Sequence, residues 1–253
     1  SDVCSSDLGT MARNATLQDP ISLWRQTIAR APNNARAHNN LGELLASDPD
    51  SRDEARQSYE SALRLKPDYA VAHQNLGILL ARQADGLEPG IAHLEEALRL
   101  DPSLAAAHSN LGNLLSRSPA RAQEAVIHHD AALKLDPRLA AAWYNRGNAL
   151  AREPAHWQQA LSDFERALSL DPTLVEAHLN RGALLAKMNG RENEAAAEFT
   201  AALRLRPNDA ELHLTLGDLL ATQTGSRDAA GSHYEEALRL KPDSVAAHFG
   251  LGK

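Results

Sequence analysis

Apolar side chains along most of the chain recur three and four residues apart, as on one face of an α-helix. Leu41, Leu44 and Leu45 show this spacing in one segment, and Ala55 and Tyr59 show it in the next. The stretch between the two segments is polar and contains Pro and Asp, residues that are typical of a break between helices. No segment alternates apolar and polar residues over a useful length. The pattern therefore predicts pairs of amphipathic helices and no strands.

The helix pairs repeat with a period of 35 residues, because seven glycines and seven prolines each follow one another at that interval. The glycines are Gly42, Gly77, Gly112, Gly147, Gly182, Gly217 and Gly252. The prolines are Pro32, Pro67, Pro102, Pro137, Pro172, Pro207 and Pro242. A fixed period of this size is the signature of a solenoid, in which identical small units stack to bury a common core. The sequence thus predicts an all-α solenoid of stacked antiparallel helix pairs.

The period divides most of the chain into equal units. The six full units are 35–69, 70–104, 105–139, 140–174, 175–209 and 210–244. Residues 17–34 match the second helix of an earlier unit, because Trp24 lies 35 residues before Tyr59. Residues 245–253 open a truncated seventh repeat, and we expect self-association through the uncapped edge that it leaves. Residues 1–16 are polar and off the repeat, so they are expected to be a disordered or cloning-derived tail.

The residues within each unit resemble the tetratricopeptide repeat. That family places a bulky residue, Leu-Gly, Ala, an aromatic residue and Pro at set spacings in a unit of about 34 residues. One unit here carries Trp143, Arg146, Gly147, Leu150, Ala160, Phe164, Ala167 and Pro172. The next carries His178, Arg181, Gly182, Leu185, Ala195, Phe199, Ala202 and Pro207. The resemblance implies a right-handed α-solenoid that acts as an interaction scaffold and binds an extended or helical peptide segment in its concave groove.

Five asparagines occupy one position of consecutive units, two residues before the repeat glycine. They are Asn40, Asn75, Asn110, Asn145 and Asn180. Asn is a poor residue inside a helix, since its side chain competes for backbone hydrogen bonds. The row is similar to the asparagine ladder in the superhelix of O-linked N-acetylglucosamine transferases, where the amides hold the backbone of an extended peptide. The resemblance implies a peptide-binding groove at these five residues, and the alternative is a contact with a neighbouring helix.

Two further rows recur with the same period. Arg82, Arg117, Arg152 and Lys187 lie at the ends of first helices. Basic residues are favoured there by the helix dipole, and the alternative is a basic rim for an acidic partner. The second row holds His where the family has Trp, at His38, His73, His108, His178, His213 and His248. Equivalent residues of neighbouring units are roughly 16–20 Å apart, too far to share a metal ion, so we interpret these histidines as packing residues.

The charge argues against a nucleic-acid partner. Lys and Arg number 26 against 33 Asp and Glu, for a net charge of −7, whereas a phosphate-backbone binder needs a positive field. Pentatricopeptide repeats, which read single-stranded RNA, also have a period near 35. The Leu-Gly and Ala-x3-aromatic residues within the units favour the tetratricopeptide reading, and RNA binding is kept as a remote alternative.

The remaining residues favour binding over catalysis. There is no Gly-rich phosphate loop and no nucleophile elbow, so this chain is expected not to be an enzyme and to need no cofactor or metal. One Cys excludes an internal disulfide, and no apolar run approaches the ~20 residues of a membrane helix. Two alternatives stay open: a non-catalytic arm of a larger, glycosyltransferase-like enzyme, and a membrane-anchored tetratricopeptide protein. A cytoplasmic location is favoured, and an extracytoplasmic one applies if the parent is membrane-anchored.

Overall fold

The computed structural model describes residues 19–252, and every regular element in that range is helical. The predicted all-α fold of stacked helix pairs is confirmed. The helices are α1 (Pro20–Arg30), α2 (Ala35–Leu45), α3 (Arg52–Leu65), α4 (Ala70–Leu80), α5 (Leu87–Leu100), α6 (Ala105–Leu115), α7 (Ala122–Leu135), α8 (Ala140–Leu150), α9 (Trp157–Leu170), α10 (Val175–Ala186), α11 (Glu192–Leu205), α12 (Ala210–Ala221), α13 (Arg227–Leu240) and α14 (Val245–Leu251). The predicted tail, residues 1–16, and Lys253 lie outside the described residues.

The helices form two compact units, the first ending at Ser118 and the second beginning at Pro119. In the first unit, each of the helices α1 to α5 packs against the next helix along the chain. The helices α7 to α14 of the second unit follow the same rule. Short connections make such neighbours antiparallel, and within each unit successive helices bury their apolar stripes against one another.

Side-chain caps and prolines set the helix ends. Asp19 accepts a hydrogen bond from the N–H of Ile21 at the start of α1, and Asn34 accepts one from the N–H of Ala37 at the start of α2. These bonds satisfy backbone donors that have no partner within the helix. The second helix of each pair ends two residues before the repeat proline, which cannot continue a helix because it has no N–H.

The turns between the two helices of a pair take two forms. Three pairs turn through a short 3-10 segment, at Pro49–Ser51, Pro119–Arg121 and Pro154–His156. Two later pairs turn through glycines with positive φ, +80° at Gly190 and +85° at Gly225. Glycine adopts this left-handed conformation without the steric cost that a Cβ would bring.

The repeat glycines let the two helices of a pair approach closely. A Cβ on Gly147 would lie 2.8 Å from the ring of Phe164, and one on Gly182 would lie 2.8 Å from the ring of Phe199. Gly77 faces backbone instead, because a Cβ there would lie 2.8 Å from the carbonyl oxygen of Gly90. The glycine period seen in the sequence is therefore a period of close helix contacts.

A matched pair of glycine substitutions tests this account. Gly77→Ala should lower the free energy of unfolding by about 1–3 kcal/mol, because the added methyl group overpacks a rigid backbone contact. Gly231→Ala should raise it by about 0.5–1 kcal/mol, since Gly231 lies within α13 and a Cβ there would meet nothing within 4 Å. Urea unfolding followed by circular dichroism measures both changes. Equal effects of the two substitutions would contradict the close-contact account of Gly77.

The last helix presents apolar side chains to solvent. Val245 and Phe249 of α14 are 81% and 64% exposed, while Ala247 on the opposite face is fully buried. Helix α14 packs against α12 and α13. Self-association through this end of the chain stays a prediction.

Candidate functional site

The structure places the five asparagines of the row on the first helices of five successive pairs, namely α2, α4, α6, α8 and α10. All five side chains are half-buried. Their amides differ, however, in what they contact, and this difference separates the row into engaged and free members.

In the first unit, two members of the row contact a buried asparagine that the sequence analysis did not single out. The Nδ2 of Asn75 donates to the Oδ1 of Asn39 over 3.2 Å, and the Nδ2 of Asn39 donates to the Oδ1 of Asn40 over 3.3 Å. Asn39 is only 2% exposed. This chain of amides links α2 to α4, so at Asn40 and Asn75 the row also joins neighbouring helix pairs.

In the second unit, Asn180 uses its amide donors within the protein. Its Nδ2 donates to the hydroxyl of Tyr144 over 3.1 Å and to the Oδ1 of Asn148 over 2.7 Å. Both partners lie on α8, the first helix of the preceding pair. Asn180 therefore contributes to the packing of α10 on α8.

Asn110 and Asn145 are the free members of the row. Within residues 19–252 neither side chain makes a hydrogen bond, although each carboxamide offers two donors and one acceptor. Asn110 lines a cavity of about 510 Å³ on the first unit, together with Asn113. The donors and the acceptor of these two half-buried amides are therefore not used by any other residue in the described range.

The basic row lies beside the asparagine row in the first unit. The Nη1 of Arg82 donates to the carbonyl of Ala46 over 3.4 Å, and the Nη1 of Arg117 donates to the carbonyl of Ala81 over 3.0 Å. Those carbonyls belong to the C-caps of α2 and α4. Each arginine thus caps the first helix of the preceding pair, at the negative end of the dipole of that helix. Arg152 and Lys187 are exposed on the second unit.

The two rows meet in adjacent cavities of the first unit. Arg82 and Arg117 line the same cavity as Asn110, and Arg82 also lines the next one with Asn75 and Tyr59. Burial raises the pKa of Tyr59 to about 12, so this side chain stays an uncharged phenol. In the first unit, members of the two rows therefore line the same two cavities.

The histidine row has a hydrogen-bonding role that the sequence analysis missed. The Nε2 of each of its rings lies within hydrogen-bond distance, 2.9–3.4 Å, of the repeat proline's carbonyl oxygen six residues earlier. Trp143 does the same, as its Nε1 donates to the carbonyl of Pro137 over 2.9 Å. A carbonyl only accepts, so each ring must supply an N–H. Histidine replaces tryptophan here because both carry a ring N–H, and the Pro-x5-His spacing was the available signal.

Three histidines of this row also reach the second helix of their own pair. The Nδ1 of His73 lies 2.9 Å from the Nδ1 of His93, and His213 and His233 show the same contact at 3.0 Å. His178 lies instead against the carboxylate of Glu198, at 2.7 Å. Burial, with a smaller contribution from the facing histidine, lowers the pKa of His93 and of His233. Each of these contacts needs one ring nitrogen as an acceptor, so at least one ring of each histidine pair must be neutral for the contact to form.

In two helix pairs of the second unit, a partly buried ion pair occupies a position that a leucine fills in other repeats. Arg146 donates through Nε and Nη2 to both carboxylate oxygens of Asp163, over 2.8 and 2.6 Å, and through Nη1 to Asp130. Asp163 is 2% exposed. Its hydrogen bond raises the pKa of Arg146. In the next pair Arg181 bonds to Glu198, at positions 35 residues further on. Leucine fills the arginine position in other units, as at Leu41 and Leu76.

Neither a metal site nor a membrane segment appears in the described part of the chain. Residues 19–252 contain no group of three or more His, Cys, Asp or Glu side chains placed to hold a metal ion. None of their helices combines the length and the apolar character needed to span a bilayer.

Family models and solved structures agree on the relationship. Models described as tetratricopeptide repeat match residues 21–70 and 155–210, and a further one matches residues 210–244. Together these ranges cover more than half of the chain. No curated protein sequence matches the chain significantly.

Several solved structures share the fold. YrrB, described as a TPR protein with an unusual peptide-binding site, is 25% identical with a TM-score of 0.62, over 78% of this chain and 100% of its own. PilF of Pseudomonas aeruginosa is 24% identical with a TM-score of 0.72, over 87% of this chain and 97% of its own. MamA is 19% identical with a TM-score of 0.60, over 70% of this chain and 93% of its own.

Proposed function

Because the chain belongs to the tetratricopeptide repeat family, we propose that it is a protein–protein interaction scaffold whose first unit binds an extended peptide in the groove around Asn75 and Asn110. Proteins built of these repeats are in general non-catalytic scaffolds. The observation that carries the proposal is the cavity in which the free amide of Asn110 lies beside two arginine side chains. The similarity to YrrB, whose description names a peptide-binding site, supports the same ligand class.

The amide chemistry explains why the ligand would be extended. A carboxamide can donate to a peptide carbonyl and accept from a peptide N–H, and an extended chain leaves both groups unpaired. Hydrogen bonds to the peptide backbone do not depend on the side chains of the peptide. A row of such amides therefore selects an extended conformation of the ligand more than a particular sequence. The equivalent free amide on the second unit, Asn145, is proposed to act in the same way within its own unit.

Substituting the free and the engaged asparagines separately tests the proposed peptide site. Asn110→Ala and Asn145→Ala should each weaken peptide binding by about 0.5–1.5 kcal/mol, because each removes one hydrogen bond to the ligand. Asn180→Ala should instead lower the free energy of unfolding by a similar amount, since its amide binds Tyr144 and Asn148. The probe is the tightest peptide from a random decamer phage library, measured by isothermal titration calorimetry, with stability measured by urea unfolding.

Two controls accompany this test. Asn33→Ala removes an exposed amide in a turn outside the groove and should change neither quantity. A version of the probe peptide with methylated backbone nitrogens should bind more weakly than the parent, because it loses its N–H donors. Unchanged affinity in Asn110→Ala and Asn145→Ala, with both proteins folded, would show that the ligand binds another surface.

A further inference from the structure

Three arginines of the first unit pair with a carboxylate. Arg25 pairs with Glu54 and Arg99 pairs with Glu96, both at hydrogen-bond distance, and Arg56 lies 3.9 Å from Glu60. These pairs lie within or between neighbouring helices and leave no net positive charge at their positions.

Arg82 and Arg117 have different surroundings from these three. Within residues 19–252 neither forms an ion pair, and the one hydrogen bond that each makes goes to an uncharged backbone carbonyl. That bond uses one of the five N–H donors of a guanidinium. It also anchors the long side chain, so less conformational entropy is lost when the remaining donors bind a ligand. Two unneutralised cations therefore line one cavity of a chain whose net charge is −7.

The rest of the cavity suits a carboxylate that is part of a peptide. The carboxamides of Asn110 and Asn113 add neutral donors beside the guanidinium groups, and the half-buried side chains of Ile78 and Leu114 add apolar surface. A guanidinium matches the two oxygens of a carboxylate with parallel hydrogen bonds. Apolar surface beside it fits the side chain that follows in an extended peptide.

We propose that this cavity selects acidic peptides, with the carboxylate of a bound Asp or Glu held between Arg82 and Arg117 and a neighbouring apolar side chain lying on Ile78 and Leu114. This inference rests on the proposed function, because it names the ligand class of the same groove. The negative net charge of the chain does not oppose it at physiological salt, where charges beyond about 8 Å are screened.

The test compares two labelled peptides by fluorescence anisotropy. One alternates Leu and Asp, and its twin has Asn in place of every Asp. The unaltered protein should bind the Asp peptide about tenfold more tightly, since a charge-assisted hydrogen bond exceeds a neutral one by roughly that factor. Added salt should weaken binding of the Asp peptide and leave that of the Asn twin nearly unchanged.

Three double variants test which arginines cause the preference for the Asp peptide. The double variant Arg82→Gln with Arg117→Gln should bind both peptides equally, and Arg82→Lys with Arg117→Lys should keep part of the preference because the charge remains. Arg30→Gln with Arg64→Gln removes two positive charges elsewhere on the first unit and should keep the full preference. Thermal unfolding by circular dichroism checks that each variant is folded.

Three results would overturn the proposal. They are equal binding of both peptides by the unaltered protein, a preference that survives Arg82→Gln with Arg117→Gln, and a preference lost equally in Arg30→Gln with Arg64→Gln. If the phage-selected peptide binds while neither designed peptide does, acid selection is wrong and the groove function stands. If no peptide of any kind binds, the proposed function falls and this inference falls with it.

Discussion

Replacing Asp163 by Ala should lower the free energy of unfolding of the second unit by about 3 kcal/mol. Asp163 is 2% exposed and accepts two hydrogen bonds from Arg146, whose side chain is 13% exposed. Removing the carboxylate leaves a largely buried guanidinium that keeps the half-exposed Asp130 as its ion-pair partner and still lies over the ring of Trp143. An uncompensated buried charge costs several kcal/mol, whereas the pair itself contributes little beyond apolar packing. Urea unfolding measures the loss.

Two comparisons make this prediction specific. Asp130→Ala should cost less than about 1 kcal/mol, because Asp130 is 43% exposed and solvent screens its charge. Arg146→Leu combined with Asp163→Ser should restore stability to within about 1 kcal/mol of the natural chain. That double variant copies Leu41 and Ser58, which fill the same two positions in the first full repeat. If the double variant is as unstable as Asp163→Ala, loss of the buried charge partner is not the cause.

Lowering the pH from 7 to 4 should reduce the free energy of unfolding of the second unit by about 3 kcal/mol through protonation of His129 alone. The ring of His129 is fully buried, and within residues 19–252 neither of its nitrogens has a hydrogen-bond partner. Burial, with smaller contributions from the charges of Arg146 and His128 against an opposing one from Asp130, lowers the pKa of His129 to about 4. The unfolded chain therefore takes up this proton from about pH 6.5 downwards, and the folded chain does not until about pH 4.

The sign follows from the difference in bound protons. Between these two pKa values the unfolded state binds more protons than the folded state, so stability falls as the pH falls. His129→Phe should remove most of this slope, because Phe164 and Phe199 fill the same position in later repeats. The lowered pKa of His233, which lies in the same unit, leaves a residual slope in the variant. Urea unfolding at several pH values provides the comparison, and identical slopes in the two proteins would exclude His129 as the source.

The helical architecture was predictable because its causes lie close together along the chain. Apolar spacing reports only which residues share one face of a helix, and the repeat prolines report where a helix must end. Of the spaced leucines in the first repeat, Leu41 and Leu45 are buried as the spacing predicts, whereas Leu44 is 37% exposed. The same spacing occurs at Ile21, Trp24 and Ile28 in the first helix, and these side chains pack on the core of the first unit. Equal spacing of such signals was sufficient to predict stacked pairs.

The candidate site was predictable only as rows of residues. Period and residue type placed Asn110 and Arg117 in their rows, but neither shows that one amide is free while Asn180 is engaged. That difference depends on which residue the preceding pair presents, since Tyr144 and Asn148 supply the partners of Asn180. The ion pair of Arg146 was not predictable for the same reason. In the sequence, Arg146 only occupies the Leu position of the Leu-Gly motif.

The sequence by itself determined the helix pairs, their period and most of the apolar positions that face the core, because these depend on interactions a few residues apart. The tertiary structure alone decided the partners of the polar side chains. A hydrogen bond such as that between Asn75 and Asn39 forms or fails within a few tenths of an ångström, and it joins residues 36 apart on different helices. Whether Arg82 meets a carboxylate or a backbone carbonyl is decided by that packing, and so is the chemistry that the groove offers.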